Sequence, residues 1–199
     1  MIRIDVQGDP VSQGSMSAIP FHRPCPKCRP GRPCGRTRMC VGGRELGANV
    51  VHSKEDEIRV WRGMIALAAK GALSAAGIRD RPAFPVDGVT LGVVFWMRRP
   101  QGHYTSKGNI LSAEGERNPV PWKKPDADKL LRAVLDALTG EVYTDDAQVV
   151  TPIPGKRFGR SPGITILVDN RVGGFSAMAT ALDHLVDTVA PLPALGLFT

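Results

Sequence analysis

"KPDADKLLRAVLDALTGEVYTDDAQVV" occupies residues 124–150 and joins a helix signal to two acidic pairs. Apolar residues recur at helical spacing over 130–138, and Gly140 follows, where helices commonly end. The pattern predicts an amphipathic helix that begins at 126–128 and ends at this glycine. An apolar run from residue 147 then predicts a strand. One acidic pair therefore precedes the helix, and the other precedes the strand.

The other apolar segments give the order of the fold. Their periods predict strands at 2–6, 88–97, 147–154 and 163–169, and helices at 53–77, 126–140 and 175–189. The basic run 155–160 is expected to be the turn between the last two strands. Residues 10–50 show no sustained helical or strand periodicity and are predicted to form a long loop or insert. The core order is β-α-β-α-β-β, an α+β fold with a mixed sheet.

The composition is that of a basic protein of ordinary domain size. The 199 residues fit a main domain over 1–170, with a basic Cys-rich insert at 20–50, and a C-terminal helix and flexible tail over 171–199. A net charge of +7 favours a polyanionic partner, most commonly nucleic acid. The apolar runs are too short to span a bilayer, and the N-terminus lacks a signal-peptide pattern, so we expect a soluble cytoplasmic protein.

The acidic pairs have a spacing that suits a metal ion. Asp126 and Asp128 are two residues apart, so in an extended segment their carboxylates point the same way. Asp145 and Asp146 lie in a loop that can return towards the helix start. Carboxylate oxygens suit Mg²⁺ or Mn²⁺, and phosphodiester hydrolysis uses such ions. The alternative is that these aspartates are only helix caps and turn residues, for which Asp is equally typical.

The whole stretch resembles the signature of the RusA family of Holliday junction resolvases, which combines a DxD helix start, a "DAL" helix end and a "DDAQV"-like strand start. The resemblance implies a metal-dependent endonuclease that resolves Holliday junctions by paired symmetric nicks, in DNA recombination and repair. It also implies branched DNA as substrate and a homodimer. By this resemblance Asp126, Asp128 and Asp146 bind the catalytic Mg²⁺, and Asp145 is a supporting carboxylate.

Arg132 departs from the family pattern, because many members have a lysine at this position. Arginine keeps the positive charge and binds phosphate through two N–H groups, but it does not readily release a proton. A role in charge stabilisation is therefore kept, whereas a proton-donating role would pass to Lys129, Lys123 or Lys124. The alternative for Arg132 is a solvated charge on the helix surface.

Several basic and polar residues elsewhere are predicted to contact the DNA backbone. The basic ones are Arg98, Arg99, Lys123, Lys124, Lys129, Lys156, Arg157 and Arg160. The loop after the first strand adds Gln13 and Ser15, for which an ordinary polar turn is the alternative. Charge alone does not specify the shape of the DNA.

Four cysteines lie close together in the insert, at Cys25, Cys28, Cys34 and Cys40. The first two form a CxxC pair, so we predict a structural Zn²⁺ site, with free thiols on a basic arm as the alternative. A zinc insert also suggests a rival function, a non-catalytic zinc-containing DNA-binding protein. The tail segment "ALGLF", residues 194–198, resembles the short peptide that bacterial sliding clamps bind, which predicts a clamp contact.

Overall fold

The computed structural model describes residues 1–13, 16–24, 40–41, 44–52, 55–108, 110–171 and 174–189; for 16–24, 40–41, 44–52, 174 and 186–189 it describes the backbone alone. In chain order the elements are β1 (Ile2–Gln7), β2 (Met16–Pro24), β3 (Cys40–Val41), β4 (Arg44–His52), α1 (Glu55–Ala75), β5 (Val89–Arg98), α2 (Ala113–Arg117), α3 (Ala127–Leu138), β6 (Val149–Gly159), β7 (Gly163–Asp169) and α4 (Gly174–Val189). Short 3₁₀ turns cover Gln101–His103 and Asp146–Gln148. The chain divides into a larger unit, 1–13 with 56–199, and a smaller unit, 14–55.

The larger unit is built on a four-stranded sheet in the order β1-β7-β5-β6. Strands β5 and β6 run parallel, and the other neighbouring pairs run antiparallel. A parallel pair needs a long crossover connection, and the segment between β5 and β6 supplies it with α3. The predicted α+β fold with a mixed sheet is confirmed.

The main core lies between one face of this sheet and the helices α1 and α3. Helix α1 buries residues at spacings of three and four: Ile58, Trp61, Ile65, Ala69 and Leu73. Leu130, Val134 and Leu138 do the same on α3 and meet the inward side chains of the strands. Helix α1 ends where Gly77 takes a positive φ of 79° and Ile78 N–H bonds to the Leu73 carbonyl.

Helix α4 forms a second hydrophobic cluster with the sheet. In this cluster helix residues such as Met178 pack against Val94, Trp96 and Leu167. A Cβ atom on Gly92 would lie only 2.8 Å from Met178 Sδ and 3.0 Å from Leu182 Cδ1. The helix can therefore approach β5 this closely only because position 92 has no side chain.

The smaller unit corrects the loop alternative of one prediction and does not contradict the alternative of an insert. The region 10–50, predicted as a long loop or insert, contains an antiparallel sheet in the order β2-β4-β3. The register pairs Met16 with His52 and Pro24 with Arg44. Prolines inside β2 and glycines around β4 conceal the alternation from which a strand would be recognised.

A second correction concerns 155–160, which was predicted as a turn. Strand β6 continues through Lys156 and Arg157 to Gly159, paired in parallel with β5 up to Arg98. The Gly-Lys-Arg composition is by itself typical of a turn. Backbone hydrogen bonds to β5 nevertheless stabilise this segment as a strand. The connection to β7 is only 160–162.

Candidate active site at the start of α3

Asp126 precedes the first helical residue of α3, yet its side chain makes no capping hydrogen bond. Its backbone is extended, with φ −71° and ψ 140°, and its carboxylate pairs with the Lys129 ammonium at 3.1 Å. Asp128 is exposed in the first turn. The Asp126 carboxylate therefore does not cap a backbone N–H group, which removes the capping interpretation for this residue.

Lys156 holds the segment that leads into α3. Its ammonium donates to the carbonyls of Lys123 at 2.8 Å and Pro125 at 2.9 Å. This side chain was predicted to contact DNA, whereas its described hydrogen bonds are inside the protein. The extension of β6 brings it there, and no spacing in the sequence indicates the contact. Lys156 thus fixes the backbone directly before Asp126.

The second acidic pair divides into one structural and one open carboxylate. Asp145 Oδ1 accepts the Ala147 N–H at 2.8 Å, and Gln148 Oε1 accepts the Asp145 N–H at 3.1 Å, a reciprocal capping box. The amide of Gln148 also donates to the carbonyls of Phe84 and Asp87. Asp146 is exposed in the 3₁₀ turn that this box stabilises.

The 3₁₀ turn Asp146–Gln148 contacts α3, so the two acidic pairs lie on neighbouring elements. Tyr143 links them, because its hydroxyl donates to the Leu135 carbonyl of α3 at 3.0 Å. Burial raises the pKa of Tyr143 above its usual range, and the charges of Asp146 and Asp136 raise that pKa further. Within the described ranges, no group of three or more His, Cys, Asp or Glu side chains is gathered closely enough to hold a metal ion.

Gln13 reaches the same helix turn from the end of the loop after β1. Its backbone N–H donates to the Lys129 carbonyl at 3.1 Å, and its side-chain Oε1 is buried with no hydrogen bond to any described residue. The structure therefore brings Gln13 to the start of α3. Ser15, predicted beside it, lies outside the described residues.

Some of the predicted basic contacts are hydrogen-bonded within the larger unit. Arg99 donates to the carbonyls of Gly115 and Asn118 at 3.1 Å each, and its guanidinium lies 4.2 Å from the Phe158 ring centroid. Arg157 donates to the Lys156 carbonyl at 2.9 Å. Arg99 therefore anchors α2 and the residues after it to the sheet.

The remaining predicted basic contacts are open to solvent. Arg132, Lys124 and Arg160 are exposed and pair with no other side chain that the structure describes. Exposed Arg98 lies 3.4 Å from Asp9 Oδ2, and the Lys123 ammonium lies 5.4 Å from the Trp122 ring centroid. These five cations remain accessible to a polyanion.

The family model described as endodeoxyribonuclease RusA matches residues 30–169, which include both acidic pairs. The chain belongs to the RusA endodeoxyribonuclease family. RusA enzymes are crossover junction endodeoxyribonucleases that resolve Holliday junctions, so the predicted family and enzyme class are confirmed. The search of curated proteins found no match.

Other predictions for this RusA-family chain lie outside the described residues. They concern the zinc ligands Cys25, Cys28 and Cys34, the side chain of Cys40 and the clamp-like segment 194–198. Each stays a prediction. None of the described helices is both long and apolar enough to cross a bilayer.

Proposed function

We propose that this RusA-family endonuclease is a Mg²⁺-dependent Holliday junction resolvase that makes paired symmetric nicks in DNA recombination and repair. The observation that carries the proposal is the start of α3. There the Asp126 carboxylate is not used as a cap, Asp128 is exposed, and Lys156 fixes the backbone before them. Nothing in the family match supports a non-catalytic DNA-binding protein.

The donor atoms are of the type that Mg²⁺ prefers, although in the described residues they are not gathered closely enough to hold an ion. Asp126, Asp128 and Asp146 offer hard carboxylate oxygens at the protein surface, whereas Asp145 is hydrogen-bonded in its capping box. When bound, Mg²⁺ would activate water and offset negative charge on the phosphate under attack. The Lys129 ammonium lies 3.1 Å from the Asp126 carboxylate, so a bound cation would compete with Lys129 for that carboxylate.

Arg132 follows Asp128 by four residues on α3, so the two side chains share a helix face. The exposed guanidinium can bind a phosphate through two N–H groups and stabilise the charge that develops there. It has no readily released proton, so we assign it charge stabilisation and phosphate positioning.

The homodimer of the proposal is supported by an apolar stripe on α1. Val60, Met64 and Leu67 recur at spacings of four and three on the outer face of the helix, and their exposed fractions are 62%, 41% and 72%. Exposed glycines at 63 and 71 fall on the same face and allow close approach of a second helix. An isologous contact through this stripe would give a dimer with two sites for the two strands of a symmetric junction.

A cleavage assay tests the proposal. The purified chain is incubated with a synthetic four-way junction and with a linear duplex of matched sequence, in Mg²⁺ or in EDTA. We expect paired nicks in the junction, with Mg²⁺ only, and none in the duplex. Equal cleavage of both DNAs, or cleavage in EDTA, would contradict the proposal.

A further inference from the structure

The residues between β5 and α3, with the ends of β5 and β6, build a cleft that the cleavage chemistry described above does not use. It has a volume of about 350 Å³, within the usual range for ligand sites. Its scaffold is ordered by hydrogen bonds. Arg99 donates to the carbonyl of Gly115 in α2 and to that of Asn118 after it. Ser112 donates through its Oγ to the Gly102 carbonyl and through its N–H to the His103 carbonyl.

An exposed tryptophan forms part of the wall of this cleft. Trp122 is 67% exposed, which is unusual for the largest apolar side chain. Its indole Nε1 donates to Asn118 Oδ1 at 2.8 Å, and the Asn118 amide donates in turn to Glu114 at 2.8 Å. The ring is therefore held in one orientation with much of its surface in solvent.

The charge around the cleft selects an anionic occupant. Arg98, Lys123 and Lys124 line it, and Glu114 is the one acidic side chain among its lining residues. Glu114 Oε1 is occupied by the Asn118 amide. A basic rim around an aromatic surface is the combination that binds single-stranded nucleic acid, because bases stack and phosphates pair with the cations.

We propose that this cleft binds an unpaired nucleobase of the branched DNA, stacked on Trp122, with the flanking phosphates on Lys123, Lys124 and Arg98. The inference rests on the proposed function, whose substrate it specifies. Trp122 precedes Asp126 by four residues, which span at most ~14 Å even when fully extended. The base is therefore held close to the strand that is cut.

This placement favours branched DNA over duplex. A base in a continuous duplex must first be unstacked and unpaired, which costs a few kcal/mol, whereas a base that is already single-stranded or mispaired costs least. Stacking accepts any base. The cleft thus recognises an open base at a branch point and not a particular sequence.

Fluorescence binding tests the cleft apart from cleavage. The full chain is titrated in EDTA into a fluorescein-labelled short oligothymidylate and into a labelled abasic oligomer of equal length and charge, and affinity is read from the anisotropy of the label, which does not depend on Trp122. Trp61 and Trp96 are buried, so a bound base should quench mainly Trp122. We expect Trp122→Ala to bind oligothymidylate roughly 5- to 150-fold more weakly, the range for losing one base–aromatic stack. Trp122→Phe should stay within a few-fold of wild type.

The abasic oligomer is the matched control, since it keeps the phosphates and lacks the bases. Wild type and Trp122→Ala should bind it alike. If Trp122→Ala binds oligothymidylate as tightly as wild type, or loses affinity for both oligomers equally, the base site is wrong. That failure is separate from failure of the resolvase proposal, in which wild type would not cut the junction in Mg²⁺ whatever the oligomers do.

Discussion

Asp126, Asp128 and Asp146 carry the carboxylates that we propose to hold Mg²⁺, and replacing each with Asn tests them. Asn keeps size and polarity but removes the charge that a metal ligand needs. We expect junction cleavage in Mg²⁺ to fall by at least ~10²-fold for each variant, the scale for losing one preorganised electrostatic group. Junction binding in EDTA should be unchanged or tighter, because a carboxylate near phosphates repels them.

The control for these variants must be a carboxylate without a structural partner. Asp136 on α3 is unsuitable, because it pairs with Arg62 of α1 and its loss would leave that partly buried guanidinium unpaired. Asp80 is exposed in the loop after α1, and Asp80→Asn should cleave like wild type. Wild-type rates for Asp128→Asn would contradict the assignment of Asp128 to the metal site.

Lys156 and Lys124 are both lysines near the start of α3, but the structure gives them different roles. Lys156→Met removes the donor to two carbonyls before Asp126, so we expect cleavage to slow while the salt dependence of junction binding stays unchanged. Lys124→Met removes an exposed cation, so we expect weaker binding and a salt slope lower by about one. Identical effects of the two substitutions on rate and salt slope would contradict the positioning role of Lys156.

At the scale of the elements, the end of β7 carries an ion pair between a buried Asp169 and a largely exposed Arg171. The Asp169 side chain is 1% exposed and accepts from Arg171 at 2.6 Å. This hydrogen bond lowers the pKa of Asp169 below its ordinary 3.8 despite burial. The stabilisation is therefore present above pH 4 and is lost as the pH falls through the lowered pKa.

Denaturant unfolding checks this window. At pH 7 we expect Asp169→Asn to have a lower free energy of unfolding than wild type, and at pH 2 to 3 the difference should shrink towards zero. Asp87→Asn, an exposed aspartate, is the matched control. A difference between Asp169→Asn and wild type that does not change with pH would mean that the ion pair does not titrate as inferred.

The elements also show how much the sequence can predict. Helix α3 is predictable because its apolar period and Gly140 agree, and its observed bounds, Ala127–Leu138, lie inside the predicted ones. The basic half of β6 is not, because its pairing partner β5 is distant in the chain. At the site, Asp126 and Asp145 are equally good cap residues by composition, so only the hydrogen bonds show that Asp145 caps and Asp126 does not.

At the scale of the whole molecule, cutting two strands symmetrically requires two active sites, and the stripe Val60–Met64–Leu67 is the surface we assign to the contact between copies. Val60→Glu combined with Leu67→Glu places two carboxylates in an apolar contact, where uncompensated charge is strongly unfavourable. We expect wild type to show twice the 21.4 kDa chain mass by light scattering. For the double variant, we expect the dissociation constant of the dimer to rise by at least ~10-fold. On a supercoiled plasmid carrying a cruciform, wild type should linearise the DNA, whereas the variant should release nicked circles because the second cut is no longer coupled to the first. Arg79→Glu adds a carboxylate outside α1, at an exposed position away from the stripe, and should keep the dimer. A monomeric wild type would end the dimer proposal, and a double variant that stays dimeric would move the interface away from α1.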